Sequence, residues 1–229
     1  MELIEALRST GAIRRFTEEP VADELLYRVL DDARFSPSGG NRQAWHVIVV
    51  HDAEQRRAIR DHYLDAWHDY VAHLLAGVIP FSPLADEADR AAALAQRDAA
   101  EAMSRPDGFA ESLDRVPVML VICANLHDLA ATDRDLDRYQ LVGGASIYPF
   151  VWNILLAAHE YGLGGVMTTI ATRNEERVRE TLAIPPTHAV ASIVVLGHPE
   201  KRHTRLVRKK VETFTTVDSF DGPTFNPAT

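Results

Sequence analysis

The sequence predicts an α/β layered fold, in which helices pack on the faces of a β-sheet. Short apolar runs of strand length alternate along the chain with longer segments whose apolar residues recur at helical spacing. The chain has 229 residues, of which 46% are hydrophobic and 25% charged, so it can bury a substantial core. These values predict a single globular domain.

The first third of the chain predicts two short helices, one strand and one long helix. Apolar residues within positions 3–7 form one stripe of the first helix, and Asp23 is expected to cap the second. An alternating apolar run at residues 45–50 predicts a strand. Helical spacing then continues over residues 53–75.

Segment 76–115 is the least core-like part of the chain. Pro80 and Pro83 interrupt the helical pattern, and a polar helical stretch follows at residues 85–103. One interpretation is a solvated helical excursion. The other is a lid over a pocket, because weakly anchored elements are the ones that open and close over active sites.

The middle of the chain predicts a buried strand followed by a buried helix. Residues 116–124 form a nearly continuous apolar run, which predicts a central strand with the Cys123 thiol buried in it. Apolar positions then recur at helical spacing up to Gly162, which is expected to end a long helix. Pro149 within this pattern indicates either a kink or a helix start nearby.

The last third predicts three further strands. They are expected at residues 165–170, 189–196 and 211–217, where apolar and β-branched residues are concentrated. Residues 222–229 are expected to form a surface tail.

Charge and composition restrict the partners. The net charge of −9 disfavours nucleic acid and anionic membranes, so an anionic ligand would need a local cluster of basic residues. No apolar stretch approaches the roughly 18 residues of a membrane span, and no targeting segment is evident at the N-terminus. With a single cysteine, an internal disulfide is impossible and a cytoplasmic location is expected. The ten histidines form no ligand pattern such as HExxH, so no metal is expected.

The loop FSPSGGNRQAW at residues 35–45 is the most informative motif. Its glycines let the backbone approach a flat ligand closely, and Asn41, Arg42 and Gln43 add donors and acceptors suited to the edge of a heteroaromatic ring. An ordinary helix-to-strand turn would also use Ser, Pro, Gly and Asn. The loop alone therefore does not decide between the two interpretations.

Two further motifs accompany this loop: IRRF at residues 13–16 and GLGG at residues 162–165. Together the three resemble the flavin-dependent nitroreductase family over nearly the whole chain. The resemblance implies an α+β sandwich with a mainly antiparallel central sheet flanked by helices, and an intertwined homodimer that holds flavin between its subunits. It also implies that segment 76–115 is the variable lid and that tail 211–229 wraps the partner.

The resemblance further implies the residues that bind FMN. Basic residues from both ends of the chain would hold the phosphate, the SPSGGN loop would follow the ring edge and ribityl chain, and the backbone after GLGG would lie near N5. These positions are Arg14, Arg15, Pro37, Ser38, Gly39, Asn41, Gln43, Met167, Thr168, Thr169, Arg205 and Arg208. Residues 167–169 are equally well read as an ordinary half-buried strand. The chain departs from the family at residues 10–12, where Thr-Gly-Ala replaces a basic and hydroxyl-bearing element.

The function implied is that of an FMN-dependent NAD(P)H oxidoreductase. NAD(P)H would reduce the flavin transiently and leave, and a nitroaromatic, quinone or similar small-molecule acceptor would then be reduced in a ping-pong cycle. Because the cofactor carries the chemistry, no side chain is expected to act as acid or base. The alternatives are a flavin-sequestering or regulatory protein with little turnover, and a specialised member such as a reductive dehalogenase or a flavin-consuming synthase.

Overall fold

A computed structural model of the protein describes residues 2–227, and its centre is a four-stranded sheet. All neighbouring strands are antiparallel, and their spatial order is β1-β2-β4-β3. The strands are β1 Trp45–Val49, β2 Val118–Asn125, β3 Gly164–Thr168 and β4 His188–Gly197. The strand pairing confirms the predicted α+β class with an antiparallel sheet.

Helices cover both faces of the sheet. They are α1 Leu3–Ser9, α2 Asp23–Ala33, α3 Ala53–Leu75, α4 Glu87–Leu94, α5 Arg97–Ala102, α6 Tyr148–Glu160 and α7 Glu175–Leu182. Short 3-10 turns lie at Gly39–Asn41, Leu113–Arg115, Val142–Ser146, Ile170–Asn174 and Val211–Thr213. Helix α3 has the bounds that the helical spacing predicts.

Strand β2 shows why the sheet needs helices on both sides. Leu120 and Ile122 point into a core built with α2 and α6, whereas Met119, Val121 and the fully buried Cys123 point into a second core built with α3 and α7. A strand buried on both faces has a continuous apolar sequence, as this one does. Burial raises the pKa of the Cys123 thiol to about 11, so the thiol is protonated and structural.

Helix α6 begins and ends at the predicted signals. Pro149 lies in its first turn, where a missing backbone N–H costs nothing, so the proline marks a helix start and not a kink. Gly162 follows the last turn with a φ of 81°, a left-handed conformation that glycine adopts without strain.

Several predictions about element boundaries are wrong. Asp23 is the first residue of α2 and not its cap, because Ala22 holds the extended conformation before the helix. The strand predicted at residues 165–170 ends at Thr168, and a 3-10 turn begins at Ile170. The polar stretch 85–103 forms two helices instead of one, with Asp86 capping the first through the Asp89 amide.

The prediction of a strand at residues 211–217 is also wrong. These residues begin with the 3-10 turn Val211–Thr213, and only an isolated bridge joins Thr216 to Thr224. The tail lies largely exposed, with the Phe220 side chain 94% accessible. Residues 228–229 of the predicted surface tail lie outside the described part.

No helix within residues 2–227 is both long enough and apolar enough to span a membrane.

Candidate functional site

The outer edge of strand β3 carries the first group of predicted site residues. The N-terminal segment covers the start of this edge, where the Ile13 amide donates to the Gly165 carbonyl at 2.9 Å. Backbone groups alternate in direction along a strand, so the N–H and C=O of Met167 face the same open edge as those of Gly165. Within residues 2–227 no other segment pairs with this part of β3. The edge therefore offers an unpaired backbone donor at Met167.

Arg14 lies over the sheet next to this edge. Its guanidinium carbon is 5.8 Å from the centre of the Phe109 ring. Its positive charge also lies close enough to the Tyr63 hydroxyl on α3 to act on the pKa of that group. The Tyr63 hydroxyl lies 3.0 Å from the Thr168 hydroxyl. Arg14, Thr168 and two aromatic side chains therefore meet beside the open edge.

Tyr63 is the buried polar group of this cluster. Burial raises the pKa of its hydroxyl to about 12, although the Thr168 hydrogen bond and the Arg14 charge oppose the rise. The hydroxyl is therefore neutral at physiological pH. It holds the Thr168 side chain in place.

The C-terminal segment runs alongside the N-terminal one. The Glu200 amide donates to the Arg15 carbonyl at 3.2 Å, and the Leu206 amide donates to the Arg8 carbonyl at 2.8 Å. This pairing brings Arg205 to the same side of the molecule as the N-terminal basic residues. Residues 8–15 and 200–206, far apart in sequence, are thus adjacent in the fold.

The unusual Thr-Gly-Ala element at residues 10–12 has a packing explanation. A Cβ atom at Gly11 would lie 2.6 Å from the His203 ring, so a larger residue would require this side chain to move. The Thr10 hydroxyl lies 2.6 Å from His159 Nδ1 on α6. Burial, followed by the charge of Arg202, lowers the pKa of His159 and keeps its imidazole neutral.

The SPSGGN loop has an unusual backbone. Gly40, Asn41 and Gln43 all have left-handed conformations, with φ values of 62°, 53° and 52°. Ser38 Oγ accepts from the Gln43 amide at 2.9 Å, and Ser146 Oγ accepts from the Gly39 amide at 3.0 Å. Left-handed residues other than glycine are uncommon and are found disproportionately at ligand sites.

Within one chain the loop and the β3 edge are not brought together. The loop precedes β1, and β1 and β3 are the two opposite edges of the sheet. Three strand spacings of about 4.8 Å, or about 14 Å in total, lie between them. The structure therefore divides the predicted flavin residues into two groups, residues 37–43 in one and residues 14–15, 167–169 and 205 in the other. Arg208 is placed with neither group, and its guanidinium donates to the Val207 carbonyl at 2.8 Å.

Segment 76–115 is more firmly attached than its composition suggests. Arg97 at the start of α5 forms an ion pair with Asp65 on α3 at 2.8 Å and a second one with Asp69. The hydrogen bond that Arg97 donates to Asp65 lowers the pKa of that carboxyl group. Helices α4 and α5 thus pack on α3, beside the end of β3.

No group of three or more His, Cys, Asp or Glu side chains suited to a metal occurs in the described part of the chain.

The sequence profile of the Nitroreductase family matches residues 7–198, most of the chain. The chain belongs to the nitroreductase family. This confirms the resemblance drawn from the three motifs and makes the protein an oxidoreductase of the nitroreductase type.

Known relatives match this chain over most of their own length. The chain is 28% identical over 190 residues to the NADH dehydrogenase of Thermus thermophilus, covering 82% of each protein. It is 24% identical over 229 residues to the FMN reductase [NAD(P)H] of Bacillus subtilis, covering 96% of this chain and 74% of the relative. The solved NADPH:FMN oxidoreductase of Vibrio harveyi matches with a TM-score of 0.61 at 21% identity, over 97% of this chain and 79% of the other. That match supports the nitroreductase fold.

Sequence reasoning missed three residues that shape this site. Tyr63, Phe109 and Ser146 hold Thr168, Arg14 and Gly39 in place, respectively. All three are tertiary contacts across 95 or more residues of chain, and no local pattern announces them. Trp67 on α3 stacks between Tyr63 and Tyr70, so packing explains this aromatic group.

Proposed function

We propose that the protein is an FMN-dependent NAD(P)H oxidoreductase that reduces a small acceptor such as a nitroaromatic or a quinone. The unpaired backbone edge at Met167, with Arg14 and the Thr168 hydroxyl beside it, is the observation that carries the proposal. An aromatic, redox-active ligand with an anionic end needs this combination of donors. Family membership supports it independently.

The residues present fit the two chemical demands of FMN. The phosphate needs cations, and Arg14, Arg15 and Arg205 are exposed on one side of the molecule although the chain as a whole is acidic. The isoalloxazine ring needs a flat, open edge with directed donors, which the Met167 amide and the Thr168 hydroxyl provide. Bound FMN would supply two-electron transfer between NAD(P)H and the acceptor. The chain itself would orient the ring and favour its reduced form through the Met167 N–H.

The proposal includes a homodimer with shared sites. Within one chain the SPSGGN loop precedes the strand at the opposite edge of the sheet from β3, so we assign it to the flavin of the partner subunit. Apolar side chains lie exposed where a partner would cover them, among them Leu3 at 65% and Phe214 at 66% accessibility. The exposed tail after residue 211 would be free to pair with the sheet of a second copy.

The first test is flavin binding and reduction. The purified protein supplied with FMN should be yellow, and NADH or NADPH should bleach it rapidly in stopped-flow absorbance. Double-reciprocal plots against a nitroaromatic acceptor should be parallel, because both substrates use one site in turn. A protein that stays colourless would refute the proposal, and a yellow protein that is not bleached would indicate a flavin-sequestering role instead.

The shared site can be tested by complementation. Arg14→Gln should weaken FMN binding about tenfold to a hundredfold, as expected for one charge-assisted contact. Arg134→Gln, at an exposed arginine far along the chain, is the matched control. A heterodimer of an Arg14→Gln chain with an Asn41→Ala chain should regain one intact site of two. Absence of that recovery would place both groups in a single-chain site.

Removing residues 211–229 tests the tail. In the proposed dimer the truncated chain should lose both dimerisation and FMN binding, because an intertwined interface leaves no stable folded monomer. Light scattering and absorbance at the flavin band measure the two properties. A folded, yellow monomer would contradict the role of the tail.

A further inference from the structure

A large recess lies at the end of strand β3, next to the proposed flavin edge. We call it the lid recess; it is bounded by the end of α3, by residues 81–94, by Tyr139 and by the turn Thr169–Arg173. Its volume is about 730 Å³, within the range of about 300–1,000 Å³ found for small-molecule sites. Because Thr169 follows the β3 edge directly, a molecule in this recess can reach a flavin bound there.

The wall of the lid recess contains a fixed aromatic ring. The Phe81 ring lies 4.8 Å from the His73 ring and 4.8 Å from the guanidinium carbon of Arg173. Phe81 has a φ of 54°, a left-handed conformation that is strained for a bulky side chain. The ring packs against both neighbours, which holds it in the wall of the recess.

The charges in the lid recess are mainly positive. Arg173 and Arg90 both line it, and in residues 2–227 no carboxylate forms an ion pair with either guanidinium. Arg90 donates to the Ala85 carbonyl at 2.7 Å, which orients its side chain. Asp69 is the one carboxylate in the lining, and it pairs with Arg97, so it does not pair with Arg173 or Arg90. A protein with a net charge of −9 thus presents two unpaired cations at this point.

We propose that the lid recess selects acceptors that carry a carboxylate on an aromatic ring, with Arg173 and Arg90 as the specificity-determining residues. Planar guanidinium groups bind carboxylates through two parallel hydrogen bonds, and Arg173 is held flat by the Phe81 ring. Phe81, Tyr139 and Ile170 provide apolar contacts for the ring of the acceptor. The statement that the ligand is an electron acceptor rests on the proposed function. The statement that the recess binds an aromatic carboxylate does not depend on it.

The test compares two ligands that differ only in charge. 4-Nitrobenzoate and 4-nitrobenzyl alcohol share the ring and the nitro group, so the difference in their affinities measures the carboxylate contact. Isothermal titration of the FMN-supplied protein should give a Kd about tenfold or more lower for the benzoate. Arg173→Gln should raise the Kd of the benzoate about tenfold to a hundredfold and leave that of the alcohol within about twofold. Arg173→Lys should recover only part of the loss, because an ammonium group cannot form the bidentate contact.

The matched control is Arg177→Gln, an exposed arginine one helical turn further on that does not line the recess. It should leave both affinities unchanged, and thermal unfolding of each variant verifies the fold. Equal effects of Arg173→Gln on both ligands, or no effect on either, would overturn the proposal.

Phosphate is the other anion that these arginines could bind, as the 2′-phosphate of NADPH. If Arg173→Gln raised KM for NADPH relative to NADH and left the nitrobenzoate affinity unchanged, the carboxylate assignment would be overturned. Titrating 4-nitrobenzoate without added FMN separates this inference from the proposed function. A protein that binds 4-nitrobenzoate more tightly than 4-nitrobenzyl alcohol but never binds flavin would refute the proposed function and support the carboxylate site.

Discussion

Removing the buried hydroxyl of Tyr63 tests how the candidate site is held together. Tyr63→Phe deletes the contact of 3.0 Å with the Thr168 hydroxyl and keeps the ring between Trp67 and Phe109. A buried hydrogen bond contributes about 1 kcal/mol, so the free energy of unfolding at pH 7 should fall by about that amount. For a chain of this size, the melting temperature should drop by about 2–4 °C.

The pH dependence of this variant is more diagnostic than its stability at one pH. Burial raises the pKa of Tyr63 to about 12, above the value of about 10 expected in the unfolded chain. The neutral hydroxyl is therefore favoured by folding, and its contribution is complete below pH 10 and lost as the pH rises towards 12. At pH 11 the unfolded state gains about 1.4 kcal/mol from ionisation, which the folded state lacks. This loss is comparable to the hydrogen bond itself.

The stability curves of the wild type and Tyr63→Phe should consequently converge near pH 11. Urea unfolding followed by circular dichroism at pH 7, 9, 10 and 11 measures the difference. Tyr70→Phe is the matched control on the same helix, because the Tyr70 ring stacks on Trp67 and its hydroxyl has no hydrogen-bond partner in the described part of the chain. A gap between wild type and Tyr63→Phe that stayed constant from pH 7 to pH 11 would refute the assignment of a buried, neutral hydroxyl.

Two further changes test the packing beneath the site. Gly165→Ala should destabilise the protein by about 3 kcal/mol, because the new Cβ would lie 2.2 Å from the backbone carbonyl of Val195, which cannot move without opening the sheet. Gly39→Ala is the control and should cost under about 1 kcal/mol, because its Cβ would lie 3.3 Å from Ala130. Equal melting temperatures of the two variants would contradict this reasoning. Thr10→Val should cost about 1–2 kcal/mol by leaving His159 without its partner at 2.6 Å, as measured by urea unfolding at pH 7.5, and an unchanged midpoint would show that the contact is dispensable.

The elements that the sequence predicts well are those with a strong local pattern. Strand β2 is apolar at nearly every position, and α3 keeps helical spacing for six turns, so both were predicted from the sequence alone. Helix α7 was not predicted, because its sequence EERVRETL buries only Val178 and carries almost no apolar stripe. The tail at residues 211–217 has the alternation of a strand, but within one chain it has no neighbouring strand to pair with, and alternation cannot supply one.

The site was predictable in its residue types but not in its assembly. The SPSGGN loop and Arg14 stand out in the sequence because of their motifs. Their separation across the width of the sheet follows only from the strand order, which no local pattern specifies. The glycine at position 11 is a similar case, since the His203 ring that packs against it comes from a distant part of the sequence.

The pairing of the two chain ends has a consequence for biosynthesis. The Ala12 carbonyl and the His203 ring are 191 residues apart in sequence, and the bond between Arg8 and Leu206 closes a loop of similar size. Closing such a loop is entropically costly and cannot occur before residues 203–206 have been made. The cluster of cations at this edge therefore does not exist on a growing polypeptide that is shorter than this. The cofactor is expected to be acquired only after these residues have been made, by a chain whose sheet is already formed.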